Sequence, residues 1–405
     1  MPARTLLEEL LAKPVGPPLT SPAAKPDLTS KVEMSGDRAE VTLNLNHPAA
    51  ALGIDPDTTA TALLEKRGED AANWEVTNVR AGEWTMATGA VGESVRYSFR
   101  RIGMGERPAL DELIASIDAR KGGNSWPEAG VWEGDHGFIV ALGDMQFGKM
   151  DGDGVEGSVR RTIDYLDKAA LLLEDYRQRF NVEHVHIAWL GDHVEGFVSQ
   201  GGANTWRTTL TMNEQIRLTR RVMLYALQVF APLCSRLTMA AVPGNHGEPQ
   251  RFSGKGLTRY DDSHDTESLI AVKDAVDLWS IDVISPYGHV EFFVPETDEM
   301  TVVVDVCGTV VGHAHGHKWR AGKHFEWWKG QSFNRESALG QCDLLLAGHL
   351  HHTQVEEDGN RMFIQVPAME SESTWWRHAK GSTGNPGLIV AVTKDGQTGT
   401  LEIVR

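Results

Sequence analysis

The sequence predicts an α/β protein in which a large domain follows a small α+β domain. The length of 405 residues exceeds what one core usually organises, since single domains of this class reach about 250 residues. From Phe138 onward, short continuous apolar segments alternate with helical ones, a pattern typical of strands that are buried on both faces. Upstream of residue 130 the apolar segments are shorter and partly alternating, which favours a separate small domain.

Composition and charge exclude several classes of protein. With 41% hydrophobic and 23% charged residues the chain is ordinary globular protein, and no apolar run approaches the roughly 18 residues that span a bilayer. A net charge of −17 argues against a protein that coats nucleic acid, but is compatible with cation binding. Three cysteines are too few for a disulfide framework or a thiolate zinc site. Because Met1–Lys13 also lacks the pattern of a signal peptide, we expect a cytoplasmic protein.

The N-terminal part divides by composition into a lead-in and a small domain. Residues 1–38 are expected to be a flexible lead-in, because Pro14–Ser35 is rich in Pro, Ser, Lys and Asp. Residues 39–130 are expected to form the α+β domain and a linker helix, and linker composition at Lys121–Gly130 sets the boundary near residue 130. The elements expected there are a strand with Val41, Leu43 and Leu45, a helix near Thr58–Lys66, strands near Trp74–Trp84 and Val95–Ile102, and a helix with Leu110, Leu113, Ile114 and Ile117 at helical spacing.

Residues 131–405 carry the α/β pattern. A first strand, Phe138–Leu142, precedes a helix of about 20 residues with Ile163, Leu166, Ala170 and Leu173 on one face, and Thr211–Phe230 is a second helix. Further strands are expected at Val185–Leu190, Leu237–Val242, Val302–Val306, Val310–Val311, Asp343–Ala347, Met362–Val366 and Leu388–Val392.

Five of these segments end in polar residues of one repeated layout. They are Gly143-Asp144-Met-Gln146, Gly191-Asp192-His-Val-Glu195, Gly244-Asn245-His246-Gly-Glu248, His313-Ala-His315-Gly-His317 and Gly348-His349-Leu-His351-His352. Loops at the carboxyl ends of strands in an α/β sheet converge on one crevice, and a glycine lets the backbone turn sharply there. Carboxylate and amide oxygens mixed with imidazole nitrogens suit divalent first-row metals. The layout therefore predicts one metal site built from five loops.

In order and spacing these motifs resemble those of the calcineurin-like metallophosphoesterase superfamily over residues 138–370. The resemblance implies a layered α/β/β/α domain with two central sheets, and a metal-dependent hydrolase of phosphate esters. It implies two divalent ions, for which we expect Mn²⁺, with Zn²⁺, Fe²⁺ and Mg²⁺ as alternatives. Asp192 would bridge the ions, and His246 would act as proton donor or stabilise the transition state. The implied ligands are Asp144, Gln146, Asp192 and His351 for the first ion, and Asp192, Asn245, His315 and His349 for the second.

Two positions depart from the family pattern or leave it ambiguous. Gln146 stands where the family has histidine, and its neutral amide oxygen is a poorer donor than imidazole, so the first ion should bind more weakly. The variant Asp144-Met-Gln146-Phe-Gly148-Lys149 resembles that of phosphoesterases encoded by bacteriophages. In the fourth motif His313, His315 and His317 lie in one run, and only the family's His-Gly pairing selects His315.

Several neighbouring residues carry a functional and a structural interpretation. For His193, Glu195, Glu248 and His352 we favour orientation of ligands or simple exposure over ligation. Lys149 either contacts substrate phosphate or is a solvated lysine. For Arg217, Arg220 and Arg221 a solvated helix face is favoured over attraction of a polyanion. For Trp206, Trp327, Trp328, Trp375 and Trp376 a place in the core is favoured over stacking on bases.

The function expected from these observations is hydrolysis of a phosphodiester, with DNA as the substrate, because the layout is similar to the DNA-repair nuclease branch of the family. One alternative is a phosphodiesterase or phosphatase for nucleotides or other small esters. Another is a catalytically weak module that binds nucleic acid or metal, in which Gln146 has impaired the site. The small N-terminal domain is a candidate for contacting DNA or a partner protein.

Overall fold

A computed structural model describes residues 27–35, 38–69, 71, 74–85, 91–101, 109–120, 132–197, 208–249, 259–279, 287–334, 337–371, 381 and 384–405. The chain divides into two compact units, residues 1–106 and residues 107–405. In the part of the chain described, no helix is both long enough and apolar enough to cross a membrane.

The first unit is an antiparallel sheet covered by a short helix. Its strands lie in the order β1-β2-β4-β3, and the core includes Val41, Leu43, Leu64 and Tyr97. Asp55 caps the second helix by accepting a hydrogen bond from the Asp57 amide at 3.3 Å, with Pro56 at the first helical position. The elements are β1 (Leu28–Ser35), β2 (Arg38–Leu45), α1 (Ala49–Leu52), α2 (Pro56–Lys66), β3 (Trp74–Thr85) and β4 (Val91–Arg101).

Strand β1 lies inside the segment that we expected to be a lead-in without structure. Leu28, Val32 and Met34 alternate with polar residues and pack on the core of this unit, and β1 pairs with β2 along its whole length. This weak alternation was hidden by the polar composition around it. Residues 1–26, the remainder of the expected lead-in, lie outside the described residues.

The second unit contains two sheets whose strands run mostly parallel. The first has six strands in the order β15-β14-β5-β6-β7-β8, with β5 to β8 parallel. The second has five, β12-β13-β11-β10-β9, with β10, β11 and β13 parallel. The strands are β5 (His136–Leu142), β6 (Val182–Trp189), β7 (Arg236–Ala241), β8 (Val290–Phe293), β9 (Val302–Val306), β10 (Thr309–Ala314), β11 (Leu344–Ala347), β12 (Gln354–Asp358), β13 (Arg361–Gln365), β14 (Leu388–Lys394) and β15 (Gln397–Val404).

Helices cover the outer faces of both sheets. The helices are α3 (Leu110–Ala119), α4 (Gly154–Tyr176), α5 (Met212–Phe230), α6 (His264–Trp279) and α7 (His324–Ser332). The first four pack on the six-stranded sheet, and α7 packs on the five-stranded one through the buried Trp328. A third core, which includes Ile139, Leu190, Val304 and Leu346, lies between the sheets. The layered α/β/β/α architecture expected for this domain is confirmed.

Helix α3 packs within the larger unit, although we expected a domain boundary after it, near residue 130. Asp118 of α3 forms an ion pair with Arg221 of α5, and Arg120 pairs with Asp164 of α4. The division of the chain by contacts falls between Glu106 and Arg107. The segment of linker composition, Lys121–Gly130, therefore follows a helix of the second unit. That segment lies outside the described residues.

A buried polar row crosses the space between the two sheets. His313 Nδ1 donates to the Val302 carbonyl at 3.0 Å, and His186 Nε2 lies 2.7 Å from His313 Nε2. The Thr238 hydroxyl lies 2.7 Å from His186 Nδ1 and 2.8 Å from His184 Nε2. Because the carbonyl can only accept, each neutral ring in the row has one possible tautomer. We call His184, His186, Thr238 and His313 the intersheet row.

Candidate active site

The polar motifs meet where the carboxyl ends of the parallel strands of both sheets come together. Asp144 follows β5, Asp192 follows β6, and Asn245 and His246 follow β7. From the other sheet, His315 follows β10, and His349 and His351 follow β11. An isolated parallel bridge between Gly143 and Ala368 joins the two edges. The convergence predicted from the repeated layout is what the fold produces.

Asp192 lies at the centre of this arrangement. Its Oδ2 is 2.9 Å from His315 Nε2 and 3.9 Å from His246 Nε2, and its Oδ1 accepts a hydrogen bond from the His246 amide at 2.7 Å. Asp192, His315 and His349 each present a ligand atom within 4.8 Å of the others. Burial opposes ionisation of Asp192, but His315 and His246 hold the pKa of this carboxyl well below its usual value. The buried side chain is therefore a carboxylate.

The loops that carry the site adopt unusual backbone conformations. Five residues have a positive φ, a strained region for residues other than glycine: Asp144, Gln146, Asp192, His349 and His351. A Cβ atom on Gly244 would lie 2.0 Å from Asp192 Oδ1, and one on Gly348 would lie 2.7 Å from Asp144 Oδ2. The glycines of the motifs thus give the carboxylates room, and the surrounding fold imposes a geometry that isolated loops would avoid.

A second pair of a carboxylate and a histidine, Asp144 with His351, lies beside the pair of Asp192 with His315. Asp144 Oδ1 is 3.2 Å from His351 Nε2, and its Oδ2 accepts the His349 amide at 2.8 Å. The other ring nitrogen of His351, Nδ1, is 2.7 Å from Glu370 Oε1. Burial would lower the pKa of His351, but the charges of Asp144 and Glu370 raise it to about 10. Glu370 therefore fixes the ring of His351, as a carboxylate behind a metal-binding histidine does.

Gln146 is held between Lys149 and His246. Its Oε1 accepts a hydrogen bond from Lys149 Nζ at 2.9 Å, which fixes the orientation of the amide because an ammonium group can only donate. Its Nε2 then lies 3.4 Å from His246 Nε2, and this contact is not a hydrogen bond while that ring nitrogen carries a proton, because both groups would then donate. Lys149 also forms an ion pair with Glu370, and only 14% of its side chain is exposed. Neither sequence interpretation of Lys149 anticipated this: it is a buried lysine bonded to Gln146.

His246 lies beside Asp192 without taking part in the cluster of ligand atoms. Its Nδ1 is 2.8 Å from the Glu195 carbonyl, which can only accept, so Nδ1 carries a proton. Glu195 Oε2 lies 3.3 Å from the same nitrogen. Burial lowers the pKa of His246, but Asp192 and Glu195 together raise it to about 9. The ring is held as a proton donor at neutral pH, and Glu195 orients it.

The three histidines of the fourth motif have separate surroundings. His313 belongs to the intersheet row, whereas His315 contacts Asp192 and donates from Nδ1 to the Leu190 carbonyl at 2.7 Å. The ring of His317 lies 5.4 Å from that of His315, and burial followed by the charge of His315 lowers its pKa to about 3. Only His315 is in the cluster of ligand atoms formed among the described residues.

The remaining residues divide as follows. His193 is fully buried against Trp189, Glu248 is half-buried, and His352 is exposed. Arg220 and Arg221 form ion pairs with Glu267 and Asp118, and Arg217 is exposed. Trp328 lies in the core under α7, and Trp327 packs beside it, whereas Trp206, Trp375 and Trp376 fall outside the described residues.

Two residues of the site were missed in the sequence. Asp265, near the start of α6, accepts the backbone amides of Asp192, His193 and Gly244 at 2.9–3.0 Å and so holds two motif loops together. Glu370 follows β13 as the other motifs follow their strands. The strand near Met362–Val366 was predicted, so the polar residue at its end was a usable signal for Glu370. Asp265 gave none, because α6 was not predicted.

The residues present fit a divalent ion. Asn245 Oδ1 is buried, and no described residue gives it a hydrogen bond. The clustered atoms of Asp192, His315 and His349 mix oxygen and nitrogen donors without a thiolate, which suits a first-row divalent metal. Buried carboxylates also need compensating positive charge, and Asp144, Asp192 and Glu370 have nearly fully buried side chains here.

Comparison with known proteins gives fold-level likeness at low identity. No family model matches the chain, and no curated protein matches it. A predicted phosphoesterase of Streptococcus pneumoniae is 11% identical, over 64% of this chain and 84% of that one, with a TM-score of 0.27. An archaeal phosphodiesterase is 12% identical over 66% and 99%, with a TM-score of 0.30. Vps29 of Entamoeba histolytica, solved with Zn²⁺, is 12% identical over 66% and 96%, with a TM-score of 0.29. At these scores the likenesses carry no conclusion about activity.

Proposed function

We propose that this chain is a divalent-metal-dependent phosphoesterase that hydrolyses phosphodiester bonds. The observation that carries the proposal is the pairing of a metal-binding cluster, Asp192, His315 and His349, with a histidine, His246, that is held as a proton donor beside it. Ordered resemblance of the five motifs to the calcineurin-like metallophosphoesterases supports it independently.

The division of labour follows from the contacts. Asp192, Asn245, His315 and His349 would hold an ion, and Asp144, Gln146 and His351 are the further ligands that the resemblance implies. A bound divalent ion polarises a phosphoryl oxygen and lowers the pKa of water. His246 would supply a proton to the leaving oxygen, and Glu195 holds its ring through Nδ1. Mn²⁺ is the ion that we expect, because the donors are oxygens and imidazoles.

We propose a DNA phosphodiester as the substrate. The support is the similarity of the motif layout to DNA-repair nucleases and of the first motif to phosphoesterases of bacteriophages. With a net charge of −17 long-range attraction of a polyanion is absent, so we expect affinity to depend on local contacts and to fall only shallowly with salt.

The test is hydrolysis of end-labelled single-stranded DNA, duplex DNA, RNA and a chromogenic phosphodiester, with Mn²⁺ and after chelation. Cleavage of DNA that requires metal and is lost in His246→Ala supports the proposal. Hydrolysis of the small diester alone identifies the nucleotide or small-ester alternative. Absence of all turnover with metal bound identifies a binding module.

A further inference from the structure

The first ion position and the second have different surroundings in this chain. At the second position Asn245 Oδ1 has no hydrogen-bond partner among the described residues, and three ligand atoms lie together. Both positions pair an imidazole with a carboxylate, His315 with Asp192 and His351 with Asp144. They differ in the amide, because Gln146 Oε1 at the first position accepts a hydrogen bond from Lys149.

Lys149 places a permanent positive charge at the first position. Its ammonium group contacts Glu370 and Gln146 and lies 4.0 Å from Asp151 Oδ2. The side chain is largely buried, and separating a buried ammonium group from its carboxylate partners would leave uncompensated buried charge. A divalent ion on Gln146 Oε1 would have to displace this ammonium or share one oxygen with it, against the repulsion of two cations.

From these contacts, and resting on the metal site of the proposed function, we propose that the Lys149 ammonium group takes the place of one metal ion. The chain then binds one divalent ion tightly, through Asp192, Asn245, His315 and His349, and Lys149 supplies the positive charge at the first position. Gln146 serves to bind Lys149, and its amide oxygen accepts a hydrogen bond from an ammonium group at any pH, whereas an imidazole accepts one only while it is unprotonated.

The Lys149 ammonium group differs chemically from a second metal ion. An ammonium group donates hydrogen bonds to a phosphoryl oxygen but does not act as a Lewis acid on water. One ion must then both polarise the ester and lower the pKa of water. The Lys149 ammonium group is then a fixed charge of the site that chelators cannot remove.

Metal stoichiometry tests this directly. The full chain is dialysed to equilibrium against Mn²⁺, bound manganese is measured by elemental analysis, and the electron paramagnetic resonance spectrum is recorded. We expect one ion per wild-type chain with the signal of an isolated Mn²⁺. We expect Lys149→Met to bind a second ion at least about tenfold more tightly than the wild type does, the scale of changes around a metal site, and to show the signal of a spin-coupled pair.

The variants separate charge from shape. Lys149→Arg keeps the charge, so it should bind one ion, and Lys273→Met, which removes an exposed lysine on α6, is the matched control and should behave as the wild type. Two equally tight, spin-coupled ions in the wild type, with no change in Lys149→Met, would overturn the inference and leave the proposed function standing. A wild type that binds no ion would overturn both. If Lys149→Met does not fold, the wild-type stoichiometry and Lys149→Arg decide.

Discussion

Two groups of buried histidines differ in the direction in which their pKa values are shifted, although one member of each, His313 and His315, lie only two residues apart. In the intersheet row, burial lowers the pKa of His313 to about 4 and that of His184 to about 3. Two residues after His313, burial acts on His315 in the same direction, but Asp192 raises its pKa to about 9. The partner decides the outcome: a carbonyl, a hydroxyl or another imidazole leaves a buried ring neutral, whereas a buried carboxylate keeps it charged.

Charge and hydrogen bonding determine what each group of histidines can do. The neutral rings of His186 and His313, in which both nitrogens have hydrogen-bond partners, join the sheets and have no free donor atom for a ligand. Charged rings beside carboxylates form a group whose protons a metal ion can replace. The histidines of the intersheet row are thus structural. The candidate site combines charged rings with His349, a neutral ring whose pKa burial lowers to about 4.

The largest effect is expected from removing the carboxylate of the charged group. Asp192→Asn keeps the shape of the side chain but removes the charge that His315 and His246 face, so bound Mn²⁺ and turnover should be lost together. The loss in metal affinity should exceed the roughly 10- to 100-fold that changes outside the ligand shell cost. Calorimetric titration with Mn²⁺ measures it, with the exposed Asp274→Asn as control. Normal affinity in Asp192→Asn would contradict its central role.

A second substitution removes a charged histidine beside Asp192 without removing a proposed metal ligand. His246→Ala should keep its metal and lose on the order of 10²-fold in kcat, the usual scale for a positioned proton donor. Parallel measurement of bound manganese and of kcat on a chromogenic diester separates the two quantities. Loss of metal in His246→Ala would make His246 a ligand and not an acid.

The pH dependence of metal binding distinguishes the two groups more finely. In the metal-free chain the pKa of His315 is raised to about 9 and that of His351 to about 10, and a ligand ring must lose its proton. Affinity for Mn²⁺ should therefore rise as pH increases from 6.5 to 9, by about tenfold per pH unit for each proton displaced. Titration calorimetry in buffers of different ionisation enthalpy counts those protons. Affinity that is flat over this range would contradict the pairing with Asp192.

Stability of the metal-free chain should have a maximum near pH 6.5. Below that pH the histidines of the unfolded chain become protonated, whereas those of the folded intersheet row stay neutral. The free energy of unfolding therefore falls toward pH 4, by up to about 1.4 kcal/mol per pH unit for each ring. Above it, the unfolded chain releases protons that His315 and His351 retain until pH 9 to 10, so stability falls again. Urea denaturation at a series of pH values in a chelator measures this, and Mn²⁺ should flatten the alkaline side only.

The smallest effect is expected in the intersheet row itself. Thr238→Val keeps the volume but removes the hydroxyl that joins His184 to His186, leaving buried ring nitrogens without a partner at a cost of about 1–3 kcal/mol. Metal affinity should be unchanged. Denaturant midpoints and manganese titrations of the same preparation test both halves, and a coupled loss of metal would show that the two groups are not independent.

The sequence predicted the strands that carry the site better than the elements around them. Strands β5 and β11 contain continuous apolar segments, β6 and β7 are largely apolar, and the four are followed by Gly-Asp, Pro-Gly-Asn or Gly-His; both their positions and their convergence followed from that pattern. The edge strand β9 was also predicted, but two other edge strands gave no such signal: β12 is mostly exposed and polar, with the sequence Gln-Val-Glu-Glu-Asp, and β8 has only four residues.

Within the site, donor types were predictable and partners were not. The motifs identified Asp192 and His315. The hydrogen bond between Lys149 and Gln146, in contrast, depends on the rotamers of both side chains, which their spacing in the sequence does not predict. His313 is in β10, whereas His315 lies just after the end of that strand. Alternation along a strand does not separate them, because residues two apart lie on the same face of a sheet.

The bridge between Gly143 and Ala368 ties the edge of one sheet to the other, and the Met369 amide donates to the Asp144 carbonyl at 3.2 Å beside it. Asp144 and Asp192 follow strands of one sheet, and His315 and His349 follow strands of the other. No local segment of the chain contains a complete ligand set. Folding must therefore close its longest loops before any ion can be bound. A bound ion, in turn, should hold the two sheets together and raise the free energy of unfolding, because the complete ligand set exists only in the folded chain.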